Sequence, residues 1–163
     1  MNKKILSTVL ALASVTLVSP FSTVFAASPI IEVSGTISSG STAPPVSTKE
    51  VGQNAFIFLA TASTWSGGIS GDTVGSQTWI GHNMDGKWHI NINVELFFMT
   101  ATVDGRTGSM TIEMNMISYP GQVAENHGTW RIKDATGGLE GLHGEGVWLS
   151  GPNRYEGNVH FSS

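Results

Sequence analysis

The sequence predicts an all-β protein, a small antiparallel eight-stranded closed barrel. Three observations lead there. Two runs alternate apolar and polar residues: Trp88, Ile90, Ile92, Val94, Leu96 and Phe98 are separated by polar or charged residues up to Glu95, and Met110, Ile112, Met114 and Met116 by Thr111, Glu113 and Asn115. Period two is the signature of a strand with one dry and one wet face. All 20 glycines follow residue 27. That density disfavours helices and suits turns, bulges and curved sheets. Finally, eight strand-length segments are separated by turn-forming residues, the pattern of a small barrel.

The chain starts with an address. Asn2-Lys3-Lys4 is basic, Ile5 to Val18 is uncharged and largely apolar, and Val24-Phe25-Ala26 offers small residues where a signal peptidase reads. This is the three-part pattern of a secretory signal peptide over residues 1–26. The apolar run is shorter than the roughly 20 residues a spanning helix needs. Cleavage leaves a single domain over residues 27–163, with six basic residues against twelve acidic ones, a net charge of −6. The expected location is outside the cytoplasm, in the medium or a periplasm, with no membrane association after cleavage.

Ile30 to Ile37 reads as the first strand. A Ser/Pro/Gly-rich stretch follows, and residues 36–49 are the expected flexible loop. Ala55 to Thr64 begins apolar on both sides, as in a strand covered on both faces. Ile69 to Ile80 is interrupted by glycine and is expected to bend. The two alternating runs come next, around a turn at Asp104-Gly105-Arg106. Both carry apolar residues at even numbers, and directly opposed residues must share a face. A loop of odd length is therefore expected, with Asp104 to Arg106 pairing Val103 with Thr107, Phe98 with Ile112 and Leu96 with Met114. Glu95 then faces Asn115. Val123 to Lys133, Leu142 to Leu149 and Tyr155 to Phe161 complete the eight.

Composition excludes several functions. With no cysteine, the chain has no disulfide, thiolate metal site, cysteine nucleophile or lipoprotein anchor. The acidic balance argues against nucleic acid as a partner. Charged residues are only 12% of the chain, too few for a disordered, solvating segment. No Gly-x-Ser-x-Gly elbow is present.

The C-terminal third carries a recognisable pattern. Gly128-Thr129-Trp130 precedes Ala135-Thr136-Gly137-Gly138-Leu139-Glu140-Gly141-Leu142-His143-Gly144-Glu145-Gly146, and Tyr155-x-Gly157 and Phe161 follow. This resembles the bacterial domain-of-unknown-function family 3224, and more distantly allene oxide cyclases and dirigent proteins. With Trp65-Ser66-Gly67-Gly68 and the Asp104–Gly108 hairpin, the resemblance extends from Trp65 to Phe161. It implies an allene-oxide-cyclase-like barrel. No residue matches the cyclases' polar cavity positions, so no catalytic residue is carried over.

Eight strands close around an interior that is packed or holds one small ligand. The dry face is rich in large, soft side chains. Trp79, Trp88, Ile92, Leu96, Phe98, Met110, Met114 and Trp130 are the candidate barrel-lining residues for a ligand; Trp148 and Met116 share their character. Methionine adapts to varied ligand shapes. On the wet face, Glu95 and Glu113 with Asn91, Asn93 and Asn115 form a polar stripe, either plain surface or a recognition strip. The histidines His82, His89, His127, His143 and His160 lack helical metal-ligand spacing. His143-x-Glu145 offers two ligands on one strand face, short of the three protein ligands of a catalytic zinc site. No metal and no cofactor is expected.

The reading that follows is an exported barrel binding a small lipophilic or aromatic molecule. One alternative is a cofactor-free isomerase or cyclase acting on a hydrophobic substrate; another is a structural or interaction protein of the cell exterior. Catalysis and oligomeric state stay open.

Overall fold

The computed structural model describes residues 28–40, 45–84, 87–121, 126–151 and 153–162, with backbone alone at residues 83, 84, 87 and 88. The signal-peptide segment lies outside them, as do residues 123–125 of one expected strand.

Nine strands form: β1 Ile31–Ser39, β2 Ser47–Val51, β3 Asn54–Gly67, β4 Ile69–Met84, β5 Lys87–Val103, β6 Arg106–Ser118, β7 His127–Ala135, β8 Leu142–Leu149 and β9 Arg154–Phe161. A 3-10 turn, Gly137–Leu139, precedes β8. All pairings are antiparallel. The order is β1-β9-β8-β7-β6-β5-β4-β3-β2, and β1 also pairs with β3. The sheet is therefore ring-like through eight strands, with β2 as a ninth. β1 lies along β3 at Ser63–Gly67, and β2 takes up the same edge at Asn54–Phe58. The stretch expected as a loop thus contains the end of β1 and the start of β2.

The alternating runs obey their period. Val94, Leu96, Phe98, Met110, Ile112 and Met114 are buried. The hairpin between them differs from expectation. Val103 pairs with Arg106 across a two-residue Asp104-Gly105 turn, both residues having positive φ (49° and 72°), as a tight hairpin turn requires. Parity is restored by a bulge. Between Phe98 and Ala101, β5 has one more residue than β6 has between Gly108 and Met110. Such a bulge moves the inward positions from even to odd numbers, so Ala101 and Val103 are buried while Met99 is exposed. Leu96 consequently faces Ile112, Phe98 faces Met110, and Glu95 faces Glu113 instead of Asn115.

One end of the ring is packed solid. Trp65 meets Phe98 edge-on at 5.6 Å and Tyr155 at 4.6 Å, and Tyr155 meets Trp130 edge-on at 6.3 Å. Ile69, Met110 and Leu139 fill the remaining space, each at most 1% exposed. Leu139 comes from the 3-10 turn, which plugs this end.

The Tyr155 hydroxyl donates to the Ile69 carbonyl at 2.7 Å and accepts from the Ile69 N–H at 2.7 Å, tying β9 to the start of β4. Burial pushes the phenol above its ordinary pKa, with the Ile69 hydrogen bond opposing in part. A raised folded-state pKa means stability that is complete below about pH 10, the ordinary tyrosine value, and lost as pH climbs toward the folded value. Tyr155→Phe is expected to lose about 1–3 kcal/mol near neutrality, because both Ile69 groups lose a buried partner. The gap from wild type should narrow above pH 10, which denaturant titrations from pH 8 to 11 would read.

Candidate functional site

Toward the other end, inward side chains form cross-strand ladders. One runs Ile57–Trp79–Ile92–Met116–Gly128–Trp148, and the next Leu59–Gln77–Val94–Met114–Trp130–Gly146. Above the packed floor a chamber of about 80 Å³ remains. Val94, Leu96, Met114, Met116 and Trp148 form its apolar wall. Thr61, Ser63 and Gln77 from β3 and β4, with Asn153, form a polar one.

The polar groups hold one another. Gln77 Nε2 donates to Thr61 Oγ1 at 2.9 Å and Trp79 Nε1 to Gln77 Oε1 at 2.7 Å. The Ser63 and Thr73 hydroxyls lie 2.7 Å apart. Trp148 Nε1 donates to Asn153 Oδ1 at 2.8 Å, and Asn153 Nδ2 to the Ile37 carbonyl. Among the described residues no lining residue is titratable, so those residues offer the chamber neutral hydrogen bonds. Its volume corresponds to about two or three waters at roughly 30 Å³ each. Drug-sized ligands occupy roughly 300–1,000 Å³.

The candidate lining residues fall in different places. Leu96 and Met114 line the chamber. Phe98, Met110 and Trp130 are sealed into the floor. Trp79 is half-buried and bonded to Gln77, and Ile92 is half-buried one ladder nearer the open end. The Trp88 side chain lies outside the described residues. Sequence reasoning missed Thr61, Ser63, Thr73 and Gln77. Their signal was present: 59–65 and 73–79 both put the inward residues at odd numbers, with small alanines and glycine hiding the period.

A much larger hollow lies on the outside. A depression of about 790 Å³ is lined by three consecutive residues from each of four neighbouring strands (91–93, 115–117, 127–129 and 147–149), with Ile80 beside them. The middle residue of each triplet points inward, so the outer two carry the lining. Asn91, Ile117, His127 and Leu149 form one outward ladder; Asn93, Asn115, Thr129 and Val147 form the next. The hollow thus has aliphatic patches among amide and hydroxyl groups. Next to it the sheet packs tightly on its inner face. Gly146 and Gly157 place no side chain inward, and their backbone rests on the Trp130 indole, so close that a methyl group at either would lie 2.7 Å or less from the ring.

Two shallower hollows continue the first. One of about 430 Å³ shares Asn115, Thr129 and Val147 with it; another of about 720 Å³ shares Val147 and reaches Glu32, Glu145 and Glu156. Glu113 and Arg131 line the first of these and pair at 2.5 Å, and Lys133 pairs with Glu95 at 2.9 Å. The Arg131 hydrogen bond holds the Glu113 carboxyl below its usual range. The Glu113 carboxylate therefore stays ionised near neutral pH, held by Arg131 and not set up to donate a proton. His143 and His160 stack on the outer face at 5.5 Å. Among the described residues no group of three His, Asp or Glu is placed to hold a metal.

No family model matches the chain, and no curated protein matches it. The fold is similar to that of a protein of unknown function from the DUF3224 family of Shewanella oneidensis MR-1. The TM-score is 0.62 at 18% identity, over 83% of this chain and 99% of that one. The resemblance to that family carried by Gly128-Thr129-Trp130 and the Gly-rich corner from Leu139 to Gly146 thus has its counterpart in three dimensions.

Proposed function

We propose that the chain is an exported β-barrel binding module whose ligand is a small, mainly apolar molecule held in the outer trough. In this reading residues 1–26 are a signal peptide, and the eight-stranded ring is a closed barrel of the allene oxide cyclase type. The observation that carries it is the hollow of about 790 Å³ over β4–β8, within the size range of small-molecule sites. The chamber expected to hold the ligand is about a tenth of that volume.

Octan-1-ol is a suitable probe. Titrated into isotopically labelled protein, it should shift the methyl resonances of Ile117, Val147 and Leu149. Val147→Asp, at a position 39% exposed and so tolerant of charge, should weaken binding at least tenfold. Shifts confined to Leu96 and Met114 would move the ligand into the lumen, and no shifts at all would end the binding reading.

A second reading, a cofactor-free isomerase working in the chamber, draws on the neutral polar wall of Thr61, Ser63 and Gln77. Such a pocket would orient a substrate by hydrogen bonds alone. The chamber's size restricts this to a substrate fragment of a few atoms.

A further inference from the structure

We infer that the chamber inside the ring is a second ligand site, which takes the oxygen of a small uncharged carbonyl compound. The site is independent of the outer trough. Its polar wall is a chain of hydrogen bonds with a direction. An indole N–H only donates, so Trp79 Nε1 makes Gln77 Oε1 its acceptor and turns the amide nitrogen toward Thr61. The amide nitrogen also only donates, so in the bond of 2.9 Å the Thr61 oxygen accepts. The Thr61 proton is left over. It has no acceptor among the described residues, although Thr61 is only 9% exposed and lines the chamber. A buried donor without an acceptor is costly, and a ligand in the chamber would supply one.

The neighbouring hydroxyls are already engaged with each other. Thr73 Oγ1 donates to the Ser63 carbonyl at 3.1 Å, so the contact of 2.7 Å between the two hydroxyls uses the Ser63 proton. Thr61 lies opposite Gly75, and Gly75 opposite Leu96. The position between the free hydroxyl and Leu96 therefore carries no side chain, and a methyl group there would lie 1.9 Å from the Glu95 carbonyl oxygen. Val94, Leu96, Met114, Met116 and Trp148 form the apolar wall. A carbonyl oxygen accepts from Thr61 and brings no donor of its own, while its alkyl arms cover that wall, which a water cannot do. A carboxylate or an ammonium would lose its hydration with no counter-charge among the described lining residues. The volume of about 80 Å³ admits a group of a few heavy atoms, so the smallest ketone is the probe.

Propanone, its hydrocarbon isostere isobutene and the anion butanoate are titrated into isotopically labelled protein. Propanone and isobutene should shift the methyl resonances of Val94, Leu96 and Met114, and butanoate should not. In Thr61→Val the ketone should lose about two- to tenfold in affinity, the worth of one neutral hydrogen bond, while isobutene loses nothing. Thr61→Ser, which keeps the hydroxyl, should retain the ketone. Trp79→Phe leaves Thr61 in place but frees the Gln77 amide to turn its oxygen to the hydroxyl, so it should also weaken the ketone selectively. If the variants change ketone and isobutene alike, Thr61 is not the donor and the inference is overturned. Butanoate shifting the same methyls as strongly would overturn it too. Propanone shifts confined to Ile117, Val147 and Leu149 would remove the chamber site and leave the trough reading standing.

Discussion

Replacing Trp65 by alanine is expected to destabilise the fold by about 3–5 kcal/mol, the usual loss for a buried aromatic truncated to a methyl group. Domains of this size are stable by about 5–15 kcal/mol, so the variant should be marginal at room temperature. The indole is 1% exposed and touches both Phe98 and Tyr155. It also lies opposite Ile37, where β1 joins β3 and the sheet becomes ring-like. Losing it empties the floor and loosens that junction together. Trp65→Phe should lose much less. The indole nitrogen has no hydrogen-bond partner, and removing an unsatisfied buried donor offsets part of the lost contact. Met99→Ala, at a side chain 78% exposed, serves as the control and should change stability by less than about 0.5 kcal/mol. Urea midpoints for the three variants check the order. A Trp65→Ala protein as stable as wild type would mean that the floor is not the core of the domain.

The parts of the fold legible in the sequence are those where burial and alternation coincide. Val94 to Phe98 and Met110 to Met114 face inward because solvated residues separate them, and that contrast needs no partner strand to be seen. Their register was not legible. It depends on one surplus residue at Met99-Thr100, and a bulge leaves no period of its own. Ser47 to Val51 is exposed throughout, so β2 has no alternation to read. Of the candidate ligand residues, Leu96, Phe98, Met110, Met114 and Trp130 are buried. Whether Phe98, Met110 and Trp130 face empty space or one another is a matter of summed volumes around the ring, which a linear pattern does not contain. The outer trough was half visible. Asn91, Asn93 and Asn115 stood out as a polar stripe, but the close meeting of glycines on β8 and β9 with an indole from β7, one position along, joins residues far apart in the sequence.

That meeting makes Gly146 a position of large expected effect. A methyl group there would lie 2.1 Å from the Glu156 carbonyl oxygen, 2.7 Å from the Gly157 Cα and 2.7 Å from Trp130 Cε2. Two of the three obstacles are backbone, so rotamer changes cannot clear them. Gly146→Ala must push β8 away from β9, and the expected loss is about 3 kcal/mol or more, at or above the upper end for overpacked cores. Gly151→Ala is the matched control, because nothing lies within 4 Å of the added methyl group. Shrinking the indole should help only in part. In Gly146→Ala with Trp130→Phe, the ring contact is relieved and the carbonyl contact is not, so the two changes should be less than additive while the double variant stays weaker than wild type. Gly146 lines the two smaller hollows and directly precedes Val147 of the larger one, so the strand shift in any folded Gly146→Ala protein should also displace Val147 and weaken octan-1-ol binding. Unchanged binding in a destabilised variant would mean that the strand shift does not reach the trough.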